Sequence, residues 1–288
     1  MSEEEVIART GDRPVTQGEL ESNLRQLGLA PGQTVLVHCS LSRLGWVVGG
    51  GQAVLLALEE VLGPKGTLLM PAFFDGAPEP SRWRDPPVPP SWWTTIREEM
   101  PPWDPTVSPT RRMGIVANLL RHQPGTVQSF HPNKSFVARG PRAADLVEDH
   151  SLDDGFGNRS PLGRLYELDG WILLLGVGHS NNTSLHLAEY RSDWPGRTVR
   201  VRYHGRVVRA GRIETVAFGD IDGMSEDFDR LGADFEREGG RVARGPVGRD
   251  AGRFLRMRPV VDYASRWIEK NRATERAPVT ERSTSLGG

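Results

Sequence analysis

Residues 171–191 read WILLLGVGHSNNTSLHLAEYR. The run Trp171-Ile172-Leu173-Leu174-Leu175-Gly176-Val177 is short, apolar and bounded by glycines, which suits a buried strand. From Thr183 the pattern turns helical. Leu185, Leu187 and Ala188 are its apolar positions, and Asn181, Asn182 or Thr183 is available as its cap. On such a helix His186 and Glu189 stand three residues apart and share a face. A carboxylate beside an imidazole fixes the ring and raises its basicity. Open α/β sheets hold their ligands just beyond the ends of buried strands, so the pair reads as a general base with its orienting partner. The same spacing also fits an exposed helix pair or, together with His179, a set of zinc ligands.

The residues before this stretch repeat the pattern. Residues 16–27 read as a helix, with Leu20, Leu24 and Leu27 at helical spacing and Thr16 and Glu19 as a capping box. Thr34-Val35-Leu36-Val37-His38 reads as a buried strand, residues 52–62 as an apolar helix and Thr67-Leu68-Leu69-Met70-Pro71 as the next strand. Alternating strands and helices predict a layered α/β fold. The intervening loop, 40–51, carries Ser40, Leu41, Ser42, Gly49 and Gly50 ahead of a helix N-terminus. Free backbone N–H groups there suit a phosphate or pyrophosphate. With neither Gly-Lys-Ser/Thr nor G-x-G-x-x-G, nucleotide fingerprints are absent.

Residues 72–105 differ in texture, being rich in proline and holding Trp83, Trp92, Trp93 and Trp103 with Asp75, Glu79, Asp85 and Asp104. Long loops in compact domains are often functional. Aromatic faces with carboxylates would recognise a cationic or sugar-like ligand; a surface loop pinned by tryptophans is the other reading. Further on, a helix from Met113-Gly114 to His122, two extended pieces within 127–138, and helices at 141–150 and after Ser160-Pro161 are expected. A hairpin turning at His204-Gly205, a strand at 212–218, and helices at 226–238 and 259–272 follow. His38 and His131 each end or follow an apolar run; a structural histidine is the simpler reading of both. His122, His150 and His204 read as surface or turn residues.

A hydrophobic fraction of 37% and a charged fraction of 25% describe a chain with a real core, and a net charge of −1 gives no field that would favour nucleic acid. Cys39 is the sole cysteine, which excludes an intramolecular disulfide and fits a reducing cytoplasm. The acidic start MSEEEVIART is no secretory signal, and no apolar run reaches the roughly 20 residues that span a bilayer. One domain over 1–272, with a Trp/Pro-rich lid at about 72–105 and a disordered tail at 273–288, is the expected organisation.

Six separated stretches, in order over residues 16–270, resemble the aminoglycoside 3-N-acetyltransferases, the antibiotic N-acetyltransferase family. They are Val35-Leu36-Val37-His38-Cys39-Ser40-Leu41-Ser42 with Gly49-Gly50-Gly51; Gly66-Thr67-Leu68-Leu69-Met70-Pro71; Asp104-Pro105 with Ser108-Pro109-Thr110 and Met113-Gly114; Ser129-Phe130-His131-Pro132 with Ser135; Gly157 with Ser160-Pro161-Leu162; and Asp169-Gly170 through Glu189. The resemblance implies the family's own layered sheet-and-helix α/β fold, distinct from the smaller GNAT enzymes. It implies acetyl-CoA as donor, with no metal, and an amine of an aminoglycoside as acceptor. His186 and Glu189 become the catalytic pair, with His38 and His131 as secondary candidates. Ser40, Leu41, Ser42, Thr110, Met113 and Gly114, with Gly49 and Gly50, are expected at the coenzyme, and Asp75, Asp104, Trp83, Trp103 and Asn182 at the acceptor. The chain departs from the common pattern at Cys39, where the family often has serine, and in its long aromatic lid. The expected protein is a cytoplasmic monomer or homodimer that binds neither nucleic acid nor membrane. An acyltransferase for another amine, a non-catalytic aminosugar-binding protein and a metal-dependent hydrolase are the competing readings.

Overall fold

The computed structural model describes residues 1–83 and 86–273. Asp85 and the expected tail from residue 274 onward lie outside the described residues. The described strands are β1 (Thr34–Cys39), β2 (Thr67–Pro71), β3 (Val127–Gln128), β4 (Phe136–Arg139), β5 (Trp171–Leu175), β6 (Arg200–Arg209), β7 (Arg212–Ile221), β8 (Val242–Val247) and β9 (Asp250–Arg256). The described helices are α1 (Glu3–Thr10), α2 (Gln17–Leu27), α3 (Leu41–Leu44), α4 (Gly50–Leu62), α5 (Trp93–Glu99), α6 (Ile115–His122), α7 (Ala143–Val147), α8 (Pro161–Glu167), α9 (Leu185–Arg191), α10 (Phe228–Arg237) and α11 (Met257–Asn271).

Seven strands form one sheet in the order β3-β4-β2-β1-β5-β9-β8, and β6 and β7 pair separately. At the centre β1 lies parallel to β2 and to β5, with Val37 opposite Leu173. Antiparallel strands flank this core on both sides. Side chains alternate along each strand, so one strand feeds two cores. Val35, Val37, Leu68, Met70, Leu173 and Leu175 pack with residues of α2, α4 and α6 on one face. Leu36, Leu69, Ile172 and Leu174 pack with residues of α7 to α11 on the other. That double burial explains why the central strands read as unbroken apolar runs. Their carboxyl ends place His38, Pro71 and Gly176 along a single edge of the sheet. No helix among the described residues is long and apolar enough to cross a membrane.

Several expected boundaries move, each for a local reason. The hairpin turns at Ala210-Gly211, both at positive φ (49° and 74°), instead of His204-Gly205. Two left-handed residues match the twist of the paired strands. Gly205 sits mid-strand because a Cβ there would lie 2.5 Å from the Gly76 carbonyl; close approach, rather than turning, requires the glycine. Thr16 caps α2 through the Glu19 N–H, but the Glu19 carboxylate pairs with Arg249 instead of closing a box. The complete capping box is at Ser2 and Glu5, ahead of α1. The helix expected over 141–150 is confined to α7, and residues 72–105 contain α5. His150 is buried, not on the surface: its ring bonds Ser129 Oγ and the Gly155 carbonyl.

Candidate active site

The segment after β5 winds through a short 3-10 turn, His179–Asn181, before α9 begins at Leu185. The helix therefore starts two residues later than the sequence suggests. Asn182 supports its entry by accepting from the Ser184 N–H and hydroxyl. Along α9 the three-residue spacing works as read: His186 Nδ1 lies 2.5 Å from Glu189 Oε2. Because a carboxylate only accepts, this contact assigns the hydrogen to Nδ1 and leaves Nε2 as the ring's acceptor.

The pair is held from every side. Phe156 stacks on the imidazole at 4.9 Å between centroids, and Phe228 leans on it at 4.8 Å. The Glu189 side chain is fully buried. Its Oε1 accepts from the Met224 N–H at 2.8 Å and from Arg272 Nη1 at 2.6 Å. Gly223, next to Met224, crosses so close that a Cβ would lie 2.7 Å from Glu189 Oε2 and 3.0 Å from His186 Nδ1. Arg272 is buried as well, and its fork grips Asp227 through Nε at 2.9 Å and Nη2 at 2.5 Å. Burial pulls the guanidinium pKa down, but the Asp227 hydrogen bonds and the Glu189 charge more than offset this and raise it. The buried carboxylate thus faces a permanent positive charge.

His186 and His38 line one cavity of about 580 Å3, together with Asp75, Trp83, Asn182 and Asp222. A smaller cavity of about 320 Å3 shares His186, Asp75, Trp83 and Asp222 with it. On the other side a cavity of about 870 Å3 is lined by Ser40, Leu41, Ser42, Arg43, Gly114 and Arg253; it meets the first at Arg112 and Asn181. A separate cleft of about 730 Å3, around Glu59 and Arg139, lies at the amino ends of the parallel strands and contains none of these groups.

The expected site residues therefore divide. Ser40, Leu41, Ser42 and Gly114 line the large cavity. Met113, His38, His186, Asp75, Trp83 and Asn182 line the middle one. Gly49 and Gly50 start α4 and line neither. Thr110 also lines neither and holds Asn118 Oδ1 at 2.5 Å. Trp103 belongs to the core, 1% exposed, wedged against Phe74 and Phe130 and bridged by its backbone to β6. Asp104 shapes its own turn by accepting from Thr106 N–H and hydroxyl, away from the cavities. His131 is completely buried and accepts the Asn133 and Lys134 N–H groups through Nδ1. These two bonds tie its ring to that turn. His179 Nε2 lies 3.1 Å from Glu236 Oε1 on α10. Among the described residues no cluster of three or more His, Cys, Asp or Glu is arranged to hold a metal. No local sequence signal marks Arg272, Asp227, Phe156 or Asp222.

Charge at this edge is closely managed. Burial, and then the positive field of His186, lowers the His38 pKa to about 3; its Nε2 accepts from the Thr183 N–H. Burial pushes the Cys39 thiol up to about 12. Cys39 lines the large cavity, and a thiol pushed up by burial is held in its protonated form near neutrality. Two cavity carboxylates have guanidinium partners: Asp75 pairs with Arg111, and Asp222 with Arg82 at 3.2 Å. Arg111 also stacks on Trp83 at 4.3 Å.

The buried histidines make acid stability predictable. Burial lowers His150 to about 4, and burial with the His150 and Lys134 charges holds His131 well below its usual value. Above pH 6.5, the ordinary value, folded and unfolded imidazoles are alike neutral. Below it the unfolded chain takes up protons that the folded chain refuses, so stability falls with pH. The loss continues down to about 4 for His150 and about 3 for His38. Each buried histidine should contribute a slope of about 1.4 kcal/mol per pH unit. Urea unfolding between pH 7 and 5 measures this; a flat profile would show that these rings ionise freely in the folded state.

Residues 36–269 match the family model described as Aminoglycoside 3-N-acetyltransferase. Aminoglycoside N(3)-acetyltransferase VIII of Streptomyces fradiae is 39% identical, over 93% of this chain and 96% of its own. The SPbeta prophage-derived aminoglycoside N(3')-acetyltransferase-like protein YokD of Bacillus subtilis (strain 168) is 38% identical, over 90% of this chain and 94% of its own. The YokD crystal structure superposes with a TM-score of 0.86 at 35% identity, covering 94% of this chain and 99% of that one. AAC-IIIb in binary complex with CoASH gives 0.79 at 30% identity, with 92% and 100% covered. AAC-VIa bound to sisomicin gives 0.79 at 30% identity, with 91% and 100% covered. With the sheet, the His–Glu pair and these matches in agreement, the chain belongs to the aminoglycoside 3-N-acetyltransferase family.

Proposed function

We propose that this chain, acting as one domain over 1–272, transfers the acetyl group of acetyl-CoA to the 3-amino group of an aminoglycoside. The observation that carries the reading is His186, which lines the middle and the smaller cavity while Glu189 and Arg272 fix it from behind. Support for the donor comes from the CoASH complex of AAC-IIIb and the arginines Arg43 and Arg253 along the large cavity. Support for the acceptor comes from the sisomicin complex of AAC-VIa and the carboxylates Asp75 and Asp222 beside Trp83. We place the reaction in the cytoplasm, where Cys39 stays reduced.

The chemistry follows from the groups present. An aminoglycoside amine arrives as an ammonium, which has no lone pair for attack. His186 Nε2 takes a proton while Glu189 steadies the charge that appears on the ring. The amine nitrogen bonds the thioester carbon and sheds its second proton to solvent as the amide forms. The carbon–sulfur bond breaks, and the imidazolium passes its proton to the departing sulfur, which leaves amide, CoA thiol and one released proton. Transfer is direct, with the acceptor amine as the attacking group.

Two experiments test this. Saturating CoA or acetyl-CoA should raise Tm by mass action, worth about 2.7 kcal/mol at a hundredfold excess over Kd. Gly114→Trp should abolish the shift, since even a Cβ at Gly114 would lie 3.2 Å from the Cys39 carbonyl. An unchanged Tm in wild type would remove the donor. Thiol release with a panel of aminoglycosides tests the acceptor. Asp75→Asn or Asp222→Asn should raise its KM about tenfold to a hundredfold, the worth of one charge-assisted hydrogen bond. Asp104→Asn should leave it unchanged. The reverse result would return recognition to the lid's outer turn.

A further inference from the structure

We infer that Arg272, at the end of α11, is a positioning residue for the base: a buried guanidinium clamp that fixes Glu189 and, through it, the tautomer and aim of His186. The inference rests on the His186–Glu189 reading and deepens it.

The geometry is specific. One guanidinium contacts three groups around the pair: Glu189 Oε1 at 2.6 Å, the Asp227 carboxylate through two nitrogens, and the Met224 carbonyl at 3.0 Å. The Met224 N–H meanwhile binds the same Glu189 oxygen. Glu189 Oε1 is thus saturated from one side, which leaves Oε2 for His186 Nδ1. Arg272 is sandwiched against Trp194 at 5.0 Å, whose indole N–H donates to the Glu189 carbonyl. The side chain has no exposure, so it touches no substrate and acts through Glu189 alone. A planar fork is required: a lysine ammonium reaches Glu189 or Asp227 but cannot present parallel N–H groups to one while bonding the other. Asp227 in turn keeps the clamp from collapsing wholly onto Glu189.

The test compares Arg272→Ala, Arg272→Lys and His186→Gln in the full chain. A misplaced base costs about 10²-fold. The expected result is kcat lowered about a hundredfold by Arg272→Ala and about tenfold by Arg272→Lys. KM for both substrates and the Tm shift produced by CoA should stay near wild type. The deshielded proton of the Nδ1–Oε2 hydrogen bond should be visible by NMR in wild type and lost in Arg272→Ala. If Arg272→Ala does not fold, Arg272→Lys carries the test. Wild-type kcat in a folded variant, or a loss that falls on KM instead, overturns the inference. An active His186→Gln sinks the parent reading instead, so the two failures are told apart.

Discussion

His186→Gln is expected to keep the fold and the CoA-induced Tm shift and to lose about 10²–10⁴-fold in kcat, the usual worth of a general base. Glutamine fills the space between Phe156 and Phe228 and can still hydrogen-bond Glu189, but it cannot take a proton from an ammonium. Single-turnover thiol release at saturating acceptor isolates this step from binding. Activity within a few-fold of wild type, alongside a dead His38→Gln, would move the base to the other cavity histidine. The depressed pKa of His38, about 3, makes that reversal chemically unfavourable, because so weak a base barely competes for an ammonium proton.

Glu189→Gln should approach His186→Gln in damage, at up to about 10⁴-fold in kcat. The spacing of His186 and Glu189 alone suggests the opposite, a base that survives without its orienting charge. The burial of Glu189 changes the answer. Its Oε1 accepts from two fixed donors, the Met224 N–H and Arg272. A glutamine must give its carbonyl to them and turn its amide NH2 toward His186 Nδ1. The ring then carries its hydrogen on Nε2, where an acceptor of protons is needed. A kcat only a few-fold below wild type would mean that the histidine chooses its tautomer independently of Glu189. Unfolding experiments on the same variant should show lower stability, since Arg272 loses one of its two charge partners.

The central sheet was legible because β1, β2 and β5 are buried on both faces and so read as apolar runs between glycines. The pair on α9 was legible because its partners are local. β8 and β9 were not: VARGPV and DAGRFLR mix exposed arginines with glycines and bury only part of each strand. In the lid, tryptophans among prolines read as a ligand platform. Yet Trp103 was drawn inward by its backbone bridge to Val207 on β6, a pairing across 104 positions that no window contains. Asp104 followed it out of the site. Arg272 is 83 residues from Glu189, and only the folded chain brings them together.

That separation has a meaning during synthesis. Translation proceeds at about 5–20 residues per second. The 83 residues from Glu189 to Arg272 therefore represent a delay of about 4–17 s. Throughout it the nascent chain carries a carboxylate destined for a dry interior without its countercharge. Packing α9 early would bury an uncompensated anion, so the half of the molecule around α9 is expected to stay open until α11 arrives. Pulse proteolysis of stalled nascent chains would locate that late closure.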